Sequence, residues 1–446
     1  MKQLDILTLE VGSTMTKANG FVRISNHSLA HVAQGFAPTT VLEGDVSVGV
    51  QGAIVELQKQ SHFYTDKAEI FVNSSAAGGL KMSVHGLTMS MTARAAKEAS
   101  LGAGAIIRKL TAGPLHAFDL EEIMEIHPNL ILLAGGVDHG DTNTVLANAE
   151  KLLGLDLHIP LIFAGNSVLQ RPIRAMAEKA NREIWITENV FPSVDTLNIS
   201  PVRKFIHDAF AKHIIHAPGM QKLNRYTSEP VLPTPGAVLL ATQLFAEIAG
   251  DTVVFDVGGA TTDVHSVTDG AKEFTDHLVD PEPREKRTVE GDLGVYVNAR
   301  HVLALDQNGL WQQQEEFLRA MPKSEQEKAL TRWLCETAVV QGAKRHAGSL
   351  NEIFTASGKK TIVRGKDLTA IKWIVGTGGA LTRIEGGAEI LAKIKTGPTT
   401  HLLPRPDARI FLDKNYLFSA LGTIAQKYPE LVQNTLKNIF IEGQTT

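Results

Sequence analysis

The sequence predicts an α/β chain built as two domains, and three observations carry that prediction. Short runs rich in β-branched residues alternate with amphipathic helical patterns along most of the chain. At 446 residues the chain is longer than one small core organises. A pattern of acid-ended apolar strand, tight turn and hydroxyls occurs once in each half, as "LTLEVGSTMTKANGF" (7–21) and "VVFDVGGATTDVHSV" (253–267).

Taken in order, strands are expected at 4–11, 69–73, 130–133, 161–164, 183–187, 252–257 and 373–375, where apolar and β-branched residues run together. Helices are expected at 92–100, 201–215 and 237–248. The last lies in "GAVLLATQLFAEIAG", which Gln243 and Glu247 interrupt and which is too short to span a bilayer, so a buried helix is predicted. The Pro-rich "YTSEPVLPTPGA" (226–237) marks a domain boundary, and the polar "PEPREKRTVEGDLG" (281–294) reads as a long loop. No repeat period and no low-complexity tract stands out.

Composition narrows the function classes. Apolar residues make up 43% and charged residues 21%, as in ordinary soluble domains. A net charge of −4 without a basic run argues against nucleic acid as a partner. The single Cys335 excludes an intrachain disulfide framework and fits a reducing cytoplasm. The N-terminus lacks a basic stretch followed by a small-residue cleavage site, so cytoplasmic location without membrane association is expected. His213 and His216 are three apart on a predicted helix, but no carboxylate falls at a matching step, so no zinc site is expected.

The two hairpins carry the chemistry. Each apolar strand ends in a carboxylate, Glu10 or Asp256, and a turn follows, Gly12-Ser13-Thr14 or Gly258-Gly259-Ala260-Thr261. Glycine lets backbone N–H groups approach an anion without a Cβ in the way, and hydroxyls add donors. A carboxylate serves phosphate only through an intervening Mg²⁺ with its waters. Two such hairpins facing each other would hold a triphosphate. A third turn, "WIVGTGGALTRIEGG" (373–387), offers bare backbone to a base and ribose. The P-loop pattern G-x-x-x-x-G-K-[ST] is absent, and G-x-G-x-x-G fails at Leu381 and at Ile107.

Two phosphate hairpins followed by a glycine turn resemble the actin, Hsp70 and sugar-kinase ATPase superfamily. Within it, "VGSTMTK", "SSAAGGLKM", "LLAGGVDHG", "FDVGGATTDVHSV", "KRTVEGDLG" and "GTGGALT" resemble the MutL/GlmL-type accessory proteins of adenosylcobalamin-dependent glutamate mutase and related aminomutases. The resemblance implies a two-lobed actin-like α/β fold with ATP in the interlobe cleft. Residues 1–235 would form the first lobe with an α/β insertion, 236–415 the second, and 416–446 a C-terminal helix returning to the first. It places Gly12, Ser13, Thr14 and Lys17 on the first phosphate loop. Gly258, Gly259, Thr261, Thr262 and Asp263 fall on the second, and Gly376, Gly378, Gly379 and Ala380 on the adenosine turn. Glu10 and Asp256 would act in catalysis and hold Mg²⁺ through water, and Asp138 would position water or the metal side. The superfamily usually has Asp where Glu10 stands, and the extra methylene changes the reach by about 1.5 Å, which bears on hydrolysis more than on binding.

The implied function is slow Mg²⁺-dependent ATP hydrolysis by a reactivating chaperone, with ATP or ADP as cofactor, a mutase as partner and oligomer formation possible. A small-molecule kinase and a nucleotide-gated assembly protein are the alternatives. "DVHSVT" (263–268) lacks the final glycine of the cobalt-ligating D-x-H-x-x-G pattern, so cobalamin belongs to the partner. The loops at 226–237 and 281–294 are the expected client-binding face. Two stretches stay open: "SSAAGGLKM" (74–82) as anion nest or β-hairpin, and "ILLAGGVDHGDTNT" (131–144) as a functional loop or a plain strand–loop–helix with Asp141 or Thr142 as cap.

Overall fold

Six consecutive buried residues, Ile6–Val11, form strand β1, and a two-residue turn sends the chain back as Met15–Ser25 (β2). Ser28–Pro38 (β3), the helix Val46–Ser61 (α1) and Glu69–Ser74 (β4) follow. This computed structural model describes residues 2–25, 27–76, 79–355, 358–395 and 400–442. Contacts divide the chain into two units, Met1–Arg23 with Ala30–Ala237, and Ile24–Leu29 with Val238–Thr446.

The alternation of β1 decides its two faces. Leu7, Leu9 and Val11 join one buried cluster with Val46, Val50 and Ala53 of α1, whose first turn is capped by the Asp45 side chain on Ser47 N–H. Each fully buried Leu or Val contributes about 1.5–3 kcal/mol. Thr8 and Glu10 take the opposite face.

After β4 the first unit carries a second sheet of five strands: Lys81–Gly86 (β5), Ile106–Ala112 (β6), Leu130–Leu133 (β7), Leu161–Phe163 (β8) and Ile184–Ile186 (β9). Helices Arg94–Gly102 (α2), Ala117–Ile126 (α3), Asn143–Leu153 (α4) and Gln170–Lys179 (α5) connect them. All its pairs are parallel, in the order β9-β8-β7-β5-β6. Leu130 and Leu132 face the cluster of the first sheet, while Ile131 and Leu133 face Val145, Phe163 and Ile173. Apolar layers on both faces explain why β7 and β8 read as unbroken apolar runs. Helix Ser200–Ile214 (α6) leads to Leu232–Pro233 (β10), which completes the first sheet as β3-β2-β1-β4-β10.

Helix Thr234–Ala249 (α7) precedes the strands of the second unit, Thr252–Val257 (β11), Thr262–Val267 (β12) and Glu285–Glu290 (β13). Then come the 22-residue helix Glu325–His346 (α8), the hairpin Ser349–Thr355 (β14) and Gly358–Arg364 (β15), Trp373–Thr377 (β16), Arg409–Leu412 (β17), and helices Leu417–Ile424 (α9) and Pro429–Phe440 (α10). A capping box between Ser324 and Glu327 starts α8. Val253, Phe255 and Val257 pack with Leu334 and Ala338 of α8. The sheet order is β13-β12-β11-β16-β17. Counted along each sheet's own strands, both units have the order third, second, first, fourth, fifth. The first two strands are antiparallel and the last two added are parallel. This is the actin-like ATPase fold that the resemblance implies, with the β5–β9 sheet inserted in the first unit.

Two expectations change. The stretch 281–294 is not a plain loop, because β13 pairs along its length with β12. The stretch 74–82 is no β-hairpin: Ser74 ends a strand of one sheet and Lys81 starts a strand of another, while Ala77 and Gly78 lie outside the described residues. Helix α10 packs with aromatic residues of the second unit, and its Thr435 hydroxyl accepts the N–H of Leu29 in β3 (2.9 Å). Phe440 sits with its ring centre 4.5 Å from that of Phe411, 5.3 Å from Phe418 and 5.9 Å from Phe245.

Candidate nucleotide site

In the first hairpin, Gly12 N–H donates to Met15 O (3.1 Å), which closes a turn over exposed Ser13 and Thr14. A Cβ on Gly12 would stand 2.8 Å from Met15 O, so only glycine closes the turn this tightly. Thr39 N–H takes the Thr14 carbonyl (3.0 Å). Register places Glu10 opposite Lys17 and beside Asn73. Lys17 Nζ donates to Glu10 Oε1 at 2.5 Å, with both side chains mostly buried. Thr234, at the start of α7, donates to Asn73 Oδ1 (2.7 Å).

The second hairpin repeats the turn bond: Gly258 N–H donates to Thr261 O (2.9 Å). Here every carbonyl of the turn is taken. Val295 N–H donates to Gly258 O (3.1 Å), Tyr296 and Val297 N–H to Gly259 O (2.9 and 2.7 Å), and Asn298 Nδ2 to Ala260 O (2.8 Å). In a trans peptide the N–H points opposite to the carbonyl. The N–H groups of Gly259, Ala260 and Thr261 therefore face away from 295–298, in an arrangement suited to an anion. The brace needs Gly294, where a Cβ would lie 2.3 Å from Ala260 O. Arg345 of α8 holds the segment just before it, through Glu290 (2.8 Å) and Asp292 (2.6 Å).

The charged side chains of this hairpin lie on one face. Asp256 stands opposite Asp263 in the β11–β12 register. Asp263 accepts from Arg287 Nε (2.8 Å), and Thr261 Oγ1 donates to it (3.1 Å). Thr262 faces the other way; it is fully buried and its hydroxyl donates to Leu293 O (2.8 Å). Of the two hydroxyls expected at phosphate, Thr262 is thus committed to the scaffold.

The third turn joins the second hairpin directly, because β16 pairs with β11 and sets Thr377 beside Asp256. Gly378 has φ +88°, and a Cβ there would lie 2.7 Å from Asp256 Oδ1 and 2.4 Å from Val257 O. Gly376 is a packing glycine, since a Cβ would strike Leu381, Leu391 and Leu412. Gly379 is exposed, with only Tyr416 Oη near the place of its Cβ (3.5 Å), and Ala380 is half-buried. Arg383 Nε donates to Tyr416 Oη (3.2 Å) and its guanidinium lies over the Tyr416 ring (5.7 Å). Thr377 donates to Asp413 Oδ2 (3.3 Å), and Asp413 also accepts the Leu417 and Phe418 N–H groups at the start of α9.

Asp138 stands in the loop after β7, on the inserted sheet rather than on the sheet that carries Glu10. Its carboxylate accepts from Ser167 N–H (2.8 Å) and Asn189 Nδ2 (3.0 Å). Burial alone would raise its pKa, but the bonds from Asn189 and Ser167 hold it below the ordinary carboxylate value. Asn166 and Asn189 bind the carbonyls of Gly140, Asp141 and Gly136, so the "AGGVDHGD" loop is internally locked. Asp141 accepts from Thr144 N–H (3.1 Å) in the first turn of α4, the capping role expected for it.

Six residues that the sequence motifs do not single out also shape the site: Arg287, Gly294, Asn73, Thr234, Tyr416 and Asp413. The first two lie inside "KRTVEGDLG", so their signal was present in the motif. The others act through contacts distant in sequence. Among the described residues, no group of three or more His, Cys, Asp or Glu is placed to hold a metal by itself, and no helix is long and apolar enough to cross a membrane.

The sequence profile described as MutL protein matches residues 6–440. This chain belongs to the MutL protein family. Protein MutL of Clostridium tetanomorphum is 34% identical, over 98% of this chain and 99% of that one. Among solved structures, nucleotide-free acetone carboxylase is similar over 99% of this chain and 78% of that chain, with 12% identity and a TM-score of 0.43. Component A of (R)-2-hydroxyglutaryl-CoA dehydratase from Acidaminococcus fermentans is similar over 97% and 98%, with 9% identity and a TM-score of 0.31. For this MutL family member the fold assignment rests on the sheet order found in both units.

Proposed function

We propose that the protein binds ATP and ADP with Mg²⁺ and serves as an ATP-dependent reactivating factor for an adenosylcobalamin-dependent mutase. The observation that carries the nucleotide part is the second turn, where all three carbonyls are bound on one side and three N–H groups are left on the other. Those amides would take phosphate oxygens, with the Ser13 and Thr14 hydroxyls and Lys17 serving the same end on the first hairpin. Asp256, against the backbone of Gly378, fits a carboxylate that holds the water shell of Mg²⁺. Glu10 would orient water while it keeps Lys17 in place. Bound Mg²⁺ would neutralise charge that develops on the phosphoryl oxygens. Gly379 and Ala380 leave room for the adenosine, with Arg383 and Tyr416 beside them. Asp138, tied to Asn189 and Ser167, would keep its loop in shape.

Membership of the MutL family supports a mutase as the client. A mutase that holds damaged cofactor in a closed site needs a partner that prefers its open state, since only differential affinity shifts an equilibrium. Moving a client from about 1:99 to 99:1 takes roughly 5.5 kcal/mol of such preference. Slow ATP hydrolysis would reset the cycle.

Hydrolysis measured with purified protein alone tests the nucleotide part. Slow, Mg²⁺-dependent phosphate release without any acceptor is expected. Turnover that begins only when a small hydroxyl compound is added would assign the protein to the sugar-kinase type of chemistry instead.

A further inference from the structure

Strands β14 and β15 form a two-stranded sheet apart from the larger ones. A lone hairpin is marginal in water, so its base must hold it. Ile362 and Val363 are buried there, Val363 N–H donates to His277 O (2.7 Å), Val279 N–H to Val363 O (3.0 Å) and Leu350 N–H to Thr400 O (2.7 Å). Beyond the base the character changes: Asn351–Thr355 and Gly358–Lys360 are all exposed.

At this free end Phe354 is 86% exposed and Ile353 38%. Register sets Phe354 opposite Lys359 and Ile353 opposite Lys360. Directly opposed residues share a face, so each face of the tip presents one large apolar side chain beside one lysine. Lys359 pairs with Glu352 (2.6 Å), whereas Lys360 makes no ion pair among the described residues. Between Ser349 and Arg364 three cations stand against one carboxylate, in a chain whose net charge is −4. Charged residues on exposed strands discourage pairing with a further strand. What remains available for contact is the side chains, above all the Phe354 ring.

We infer that this hairpin is a docking arm that places Phe354 in an apolar pocket edged by carboxylates on the client mutase. The identity of the partner rests on the function proposed above. A second copy of this chain fits less well: a two-fold, tip-to-tip contact would bring Lys359 and Lys360 against their own copies, and like charges in contact disfavour such pairing. Both stretches read from sequence as client-facing are engaged in the fold, 281–294 through β13 and 226–237 through β10 and the start of α7, which leaves this arm as the better surface.

Binding of the full-length protein to the purified mutase, with ATP and Mg²⁺, tests the inference. Phe354→Ser should weaken binding about tenfold or more, as loss of a central aromatic anchor does. Lys359→Glu with Lys360→Glu should weaken it chiefly at low salt. Both variants should keep wild-type ADP affinity and melting temperature. If the wild type binds the mutase and both variants bind equally well, the arm is wrong and the function stands. If the wild type binds no mutase in any nucleotide state, the functional proposal fails and takes the arm's partner with it. Loss of ADP affinity in Phe354→Ser, or loss of a self-associated form, would also overturn the inference.

Discussion

Glu10 faces Lys17 across the first hairpin, and Asp256 faces Asp263 at the same place in the second. Two turns with the same closing bond thus present different charge. In the first, Glu10 pairs with Lys17 across the strands; in the second, two carboxylates face each other and Arg287 of β13 pairs with Asp263. We propose that this divides the work, with Asp256 on the metal side and Glu10 as the anchor of Lys17.

Lys17→Met should destabilise the protein by about 3 kcal/mol, because it leaves a buried carboxylate without its charge partner. Lys17→Met combined with Glu10→Gln should recover part of the loss, as seen in urea midpoints. Purely additive losses would show that the pair is not coupled.

Asp256→Ala should lower ATP hydrolysis by about 10²–10³ while ADP affinity changes far less. Single-turnover hydrolysis and calorimetry on one preparation separate the two effects. Unchanged turnover would remove Asp256 from the mechanism.

Gly379→Arg and Gly294→Ala should fail in different ways. A side chain at exposed Gly379 meets only the Tyr416 hydroxyl, at ordinary contact distance, so the arginine variant should melt like the wild type yet bind no ADP. Gly294→Ala forces the Ala260 peptide aside and should lower both the melting temperature and nucleotide affinity. An arginine variant that binds ADP normally would move the adenosine elsewhere.

Acid should destabilise the fold through buried histidines. Burial pulls His85 down to about 3 and His31 and His207 to about 4, and holds His265 and His346 well below 6.5. The unfolded chain takes up protons near 6.5 that the folded chain refuses. Stability is therefore full above that pH and falls as pH drops toward the folded values, with a slope of about 1.4 kcal/mol per pH unit for each group. Both ring nitrogens of His265 lack a hydrogen-bond partner among the described residues, so His265→Leu should flatten the acid limb of a urea-midpoint profile. An unchanged limb would mean that His265 charges inside the fold.

The sequence made some elements plain and hid others for physical reasons. Strands β7 and β11 were legible because both faces are buried, which leaves an unbroken apolar run. Strand β13 was hidden because its charges have partners elsewhere: Arg287 on Asp263 and Glu290 on Arg345. The turn glycines read alike in sequence, yet Gly376 serves packing, Gly378 a close approach, and Gly379 is exposed beside the Tyr416 hydroxyl. One signal could have been counted in advance. A turn of fixed length pairs Glu10 with Lys17 and Asp256 with Asp263, so the contrast between a neutral pair and an acidic pair was already written in the chain.

The central claim is that this nucleotide switch restores a stalled mutase. The direct measurement mixes mutase carrying inactive cobalamin with this protein, Mg²⁺, fresh adenosylcobalamin and either ATP or a non-hydrolysable analogue, and follows mutase activity. Recovery with ATP, little with the analogue and none with Asp256→Ala is the predicted result. No recovery with the cognate mutase, or equal recovery without nucleotide, would contradict it.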